Sequence, residues 1–110
     1  MIKMKLQNES FNLIRDGHKT IEVRLNDEKR KLLQVGDVIE FTNVKTDEKI
    51  KVKVSGLLPY DTFKQLFDAR DVYEFGSNSK EVLLADIYNF YKKEKEDEHG
   101  VLGIKIGVVN

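Results

Sequence analysis

Residues 17–25 read Gly17-His18-Lys19-Thr20-Ile21-Glu22-Val23-Arg24-Leu25, and the period of the chain changes inside this stretch. Upstream of it, Phe11, Leu13 and Ile14 sit at helical spacing. The spacing predicts a helix over Glu9 to Asp16, capped by Asn8 or Ser10 and stopped at Gly17 in the left-handed conformation. From Lys19 onward, Ile21, Val23 and Leu25 alternate with Thr20, Glu22 and Arg24. A period of two is that of a half-buried strand with one polar face. Glu22 and Arg24 then share that face, with Lys19 at its mouth. Opposite charges so placed orient each other and, where partly buried, shift each other's protonation.

The same alternation of helix and strand periods continues on both sides. Residues 3–6 read as a short first strand, and Asp27 to Leu33 as one or two helical turns ending before Gly36-Asp37, where the Asp37 side chain closes a turn. Val38 to Val44 and Ile50 to Val54 form a hairpin across Lys45-Thr46-Asp47-Glu48. On its second strand Lys49, Lys51 and Lys53 share one face, a row that could meet phosphates. Pro59 and Tyr60 open a helical stretch in which Thr62 and Gln65 match a capping box and Phe63, Leu66 and Phe67 make the apolar stripe. Asn78 to Lys93 reads as the longest helix, capped by Asn78 and Glu81, with Leu83, Leu84, Ile87, Tyr88 and Tyr91 facing the core. The charged run Lys92 to His99 reads as a solvated helix end or loop. In the last strand Leu102, Ile104, Ile106 and Val108 face one way and Gly103 and Gly107 the other, which suits a curved sheet or a close backbone approach. About five strands with intervening helices make an α+β domain around a small, mostly antiparallel β-barrel with flanking helices.

A chain of 110 residues leaves room for one domain, expected over 1–110. Its lack of cysteine excludes disulfides, thiolate zinc sites and thiol nucleophiles. With His18 and His99 as the sole histidines, no metal and no cofactor are expected. No apolar run approaches the roughly 20 residues of a bilayer span, and residues 1–6 lack the apolar stretch of a signal peptide, so a cytoplasmic protein without a membrane partner is expected. Nineteen basic residues balance nineteen acidic ones, without the excess that marks a general nucleic-acid binder. The distribution is uneven, however: residues 1–53 carry 12 basic and 9 acidic side chains, and 54–110 carry 7 and 10. An anionic ligand is better served by the first half.

The pattern Gly17-x-Lys19-x-x-Glu22-x-Arg24, followed by Gly36-Asp37 and a strand, a long helix and the closing Glu98-His99-Gly100-Val101-Leu102-Gly103-Ile104, resembles the ASCH domain of the PUA-like superfamily over nearly the whole chain. The resemblance implies a small barrel with a cleft beside the motif for RNA or a nucleotide, with Lys19, Thr20, Glu22 and Arg24 as ligand contacts. Some bacterial domains of this architecture are acetylcytidine amidohydrolases that use a lysine and a threonine of the motif with a later glutamate. Lys19 matches that lysine; Glu22 stands where those enzymes place the threonine, and Glu74 is the nearest counterpart of the later glutamate. On that alternative Glu22 would act as general base on water and Lys19 would stabilise the oxyanion. A ribonuclease using the same cleft is a further enzymatic alternative.

Other candidates read more simply. His18 is a loop histidine that could exchange protons near neutral pH. His99 follows four acids in five residues and reads as solvated or structural. Tyr60, Tyr73 and Phe75 could stack on a base, although aromatics in this proportion mostly fill a core. An RNA- or nucleotide-binding module is the leading expectation, a hydrolase of a modified nucleoside the alternative, and a protein-interaction module exposing Glu94 to Glu98 the third. The sequence leaves the oligomeric state open.

Overall fold

The structure is a computed structural model describing residues 1–109. Its frame is one five-stranded sheet of β1 (Ile2–Leu6), β2 (Ile21–Leu25), β3 (Val38–Asn43), β4 (Lys49–Tyr60) and β5 (Val101–Val108), in the order β1-β3-β4-β5-β2. Three of its four pairings are antiparallel; β1 runs parallel to β3, with Met4 opposite Phe41. Four helices flank the sheet: α1 (Asn8–Arg15), α2 (Phe63–Ala69), α3 (Lys80–Ile87) and α4 (Lys93–His99). The architecture is α+β, and the barrel is half of one: a curled sheet whose two edges are β1 and β2. The edges are tied where the Arg24 guanidinium donates to the Lys5 carbonyl at 2.7 Å.

The curl separates two apolar layers. Inside it, Met4, Phe41, Val52, Val54 and Ile104 pack against Phe11 and Ile14 of α1. On the outside, over β2 and β5, Ile21, Val23 and Val101 pack under Phe63, Leu66 and Phe67 of α2 and under Phe75. Gly103 permits that second layer, since a Cβ there would meet the Leu66 Cδ1 at 2.9 Å. Its expected role in a close approach is thereby located, whereas Gly107 faces open space.

Several elements depart from the sequence reading. β4 does not end at Val54; it passes a bulge between Val54 and Gly56 and continues to Tyr60, with Pro59 paired to Leu102 instead of opening a helix. Helix α2 starts later, with the Thr62 hydroxyl accepting from the Gln65 N–H at 3.1 Å and Gln65 reaching back to the Asp61 N–H. Helix α1 has Gln7 at its N-cap with no side-chain bond, because Asn8 instead accepts from the buried Asn43.

The expected long helix is two. α3 is capped by Ser79, not Asn78, and stops at Ile87; a turn follows and α4 begins at Lys93. The run taken for solvated charge contains Glu96, which is fully buried. Its carboxylate accepts from the Phe63 N–H at 2.7 Å, the Tyr88 hydroxyl at 2.9 Å and the Lys93 ammonium at 2.9 Å. A continuous helix would carry that carboxylate away from α2, so the break lets it accept from the first N–H of α2.

Candidate functional site

The left-handed Gly17 ends α1 with the His18 and Lys19 N–H groups both donating to the Leu13 carbonyl. That tight exit starts β2 beside α1 and leaves the Lys19 side chain facing back onto the helix, where its ammonium donates to the Ser10 hydroxyl at 3.2 Å. Along β2 the period of two puts Ile21 and Val23 under α2 and turns Glu22 and Arg24 toward the seam between the sheet edges. Lys19 Nζ lies 3.0 Å from Glu22 Oε1, and Arg24 Nη2 lies 3.0 Å from Glu22 Oε2. Glu22 Oε1 also accepts from the Val23 N–H, and Oε2 from the Arg24 Nε, both at 3.2 Å. Each carboxylate oxygen thus has two donors. Burial pushes the Glu22 carboxyl up, but the charges and hydrogen bonds of Lys19 and Arg24 outweigh it and hold the group below its ordinary range.

Beside this triad opens a cleft of about 560 Å3 between α1, the start of β2 and α3. Lys19, Glu22 and Arg24 form one charged wall, Lys5, Glu9 and Asp86 add charge elsewhere in the lining, and Phe67, Phe75, Leu83 and Ile87 supply its apolar part. Phe90 and Val82 stand at its rim with 63% and 52% of their surface exposed. Two cations held by a buried carboxylate, a lining that mixes polar and apolar groups and an exposed aromatic ring suit a nucleotide: anion contacts for phosphate and a flat surface for a base.

The structure brings Lys19, Glu22 and Arg24 together. Thr20 is exposed and outside the lining; its N–H donates to the Glu74 carbonyl at 2.9 Å. The Glu74 side chain also lies outside the cleft, bound to Arg70 at 2.7 Å. Of the aromatics named from sequence, Phe75 is buried within the cleft wall, Tyr73 is exposed elsewhere, and Tyr60 lines a separate groove with Asp61 and His99. His99 bonds Glu98 at 2.7 Å, and Asp37 closes its turn by accepting from the Gln34 N–H. Phe90 and Ser10, with Glu9 and Asp86, are among the cleft residues that sequence reading missed. The available signal for Phe90 was the sequence Asn89-Phe90-Tyr91, poor helix formers at the end of an otherwise continuous helical pattern. Among the described residues no three His, Asp or Glu side chains converge as metal ligands, and no helix is long and apolar enough to cross a membrane.

The ASCH domain family model matches residues 4–110. The chain belongs to the ASCH domain family. Among solved structures this ASCH domain is similar to the hypothetical protein PH0355, at 36% identity over 97% of each chain with a TM-score of 0.87. It is likewise similar to protein PF0455 from Pyrococcus furiosus, at 34% identity over 99% of this chain and 97% of that one, with a TM-score of 0.78. The ASCH domain from Lactobacillus crispatus shares the fold at 17% identity, covering 92% of this chain and 70% of that one, with a TM-score of 0.65. No curated protein matches the chain.

Proposed function

We propose that this ASCH domain binds a nucleotide unit of cytoplasmic RNA in the cleft, with Lys19 and Arg24 contacting phosphate or ribose oxygens, Glu22 holding both cations in place, and Phe90 offering its ring to the base. Nucleic-acid binding is general among ASCH domains, and the feature that carries the reading here is the pair of cations converging on one buried carboxylate at the wall of the cleft. A carboxylate fixed by four donors is pre-organised as an anchor for its cations. It is a poor base toward water, having no lone pair free and a lowered proton affinity. Binding is therefore favoured over the hydrolytic alternative.

A thermal-shift screen of nucleosides, nucleotides and short RNAs tests this. A ligand at 100 times its Kd adds about 2.7 kcal/mol of stability, and at least one nucleotide or RNA should do so. If none does, the reading fails. The same samples given acetylcytidine should release no acetate; robust release that Glu22→Gln lowers by about 10²–10⁴ would establish the hydrolase in its place.

A further inference from the structure

We propose that the outward lysines of β1 and β4 form a second nucleic-acid surface, one that holds the phosphates of a single-stranded RNA whose neighbouring nucleotide occupies the cleft. This rests on the cleft reading above and extends it.

Strand registers place the lysines in rungs across the sheet. Lys5, Thr42 and Lys49 form one rung, Lys3, Glu40 and Lys51 the next, and Val38, Lys53 and Gly107 the third. These residues alternate with the buried Met4, Phe41 and Val52 and so point away from the inner core. Helices α2 and α3 cover the outer face only over β2, β5 and the far half of β4. Successive rungs lie about 6.7 Å apart along the strands, and β1 and β4 about 10 Å apart with β3 between them. Lys105 adds its stem over Gly56, where a Cβ would meet it at 3.0 Å.

The charge on this face is mostly uncompensated. Glu40 is its one acid, and among the described residues Lys3, Lys5, Lys51 and Lys53 have no carboxylate within 4 Å, while Lys49 alone is tied to Asp47. Lys5 joins the face to the cleft, since it lines the cleft and its carbonyl receives Arg24. No aromatic side chain stands on the rungs, so contacts here would be to phosphates, without base stacking. The rungs carry only Val38 for insertion into a membrane, and the continuity of the face with the cleft through Lys5 favours RNA. A single strand leaving the cleft over Lys5 would cross the rungs at a spacing near that of its own phosphates.

The test uses a fluorescein-labelled 12-nucleotide oligouridylate and, separately, uridine monophosphate, with wild type, a Lys3→Gln/Lys51→Gln/Lys53→Gln variant and the matching triple Lys→Arg variant. The dependence of log affinity on log salt should be shallower by about 2 for the glutamine variant, from ~0.7 per lost phosphate contact. The arginine variant should keep the wild-type slope, and uridine monophosphate should bind all three alike. An unchanged slope in the glutamine variant overturns the proposal, as does equal loss in the arginine variant. Vesicles of phosphatidylserine and phosphatidylcholine that bind wild type but not the glutamine variant, with oligouridylate unaffected, would assign the face to membranes and also overturn it. Failure of the cleft reading would look different: uridine monophosphate and other mononucleotides would not bind at all.

Discussion

Lys19 and Arg24 keep only 11% and 15% of their side-chain surface exposed, and both depend on Glu22 for compensation. Truncating Glu22 to alanine leaves two half-desolvated cations without their anion, and stability at pH 7 should fall by about 3–5 kcal/mol in denaturant melts. Because the folded carboxyl lies below its ordinary range, its contribution is complete above the unfolded value of about 4.3 and is lost as pH falls through the folded one. The gap between wild type and Glu22→Ala should therefore shrink in melts taken below about pH 4; a gap that widens there would contradict the assignment. On the binding proposal Phe90 would serve the ligand and not stability. With 63% of its surface exposed, Phe90→Ala should leave Tm within experimental scatter yet weaken RNA binding by about 1–3 kcal/mol in a fluorescence titration. The charged triad was legible in the sequence because strand alternation alone puts residues 22 and 24 on one face and a glycine stop brings Lys19 beside them. Phe90 was not, since its exposure depends on where α3 ends.

That ending is decided between elements. α3 buries no residue fully, and Leu83, Leu84 and Ile87 are only half-covered, so the helix whose stripe was expected to face the core is a loosely seated cover over the cleft. Leu83→Ala should cost about 1 kcal/mol, half the ~2 kcal/mol of a fully buried leucine, while Leu66→Ala in α2, with no exposed surface, should cost about 2–5 kcal/mol. Parallel urea melts of the two variants would reverse this account if Leu83 proved the costlier. α4 also reaches α2, through Glu96, beside the broader contact of α2 with α3. Burial works against the Glu96 charge, yet the bonds from Lys93, the Phe63 N–H and Tyr88 hold its carboxyl below the ordinary range. Glu96→Ala orphans the Phe63 N–H and should cost about 1–3 kcal/mol. In a double-mutant cycle with Tyr88→Phe, the two should couple by about 0.5 kcal/mol or more; strict additivity would show that the hydroxyl contributes nothing. Nothing in Lys92 to His99 distinguishes Glu96 from the acids around it, because no local pattern reports a contact with residue 63. The hairpin, the Thr62 cap and the closing strand were legible, being local; the length of β4 was not, since Pro59 suits a sheet only because β5 pairs there without needing its missing N–H.

Across the whole molecule, the cleft lies where the two edges of the half-barrel approach, and Arg24 serves both the seam and the binding wall. The overall charge balance concealed the bare lysine face, which only the strand registers assemble. At 12.8 kDa the chain suits amide-resolved NMR, and a chemical-shift map with a short RNA trinucleotide tests the central claim most directly. The largest shifts should fall in the segments Gln7–Ser10, Lys19–Arg24 and Val82–Tyr91, which carry most of the cleft's lining residues. Shifts centred instead on the groove of Tyr60, Asp61 and His99, or none at a millimolar trinucleotide concentration, would contradict it.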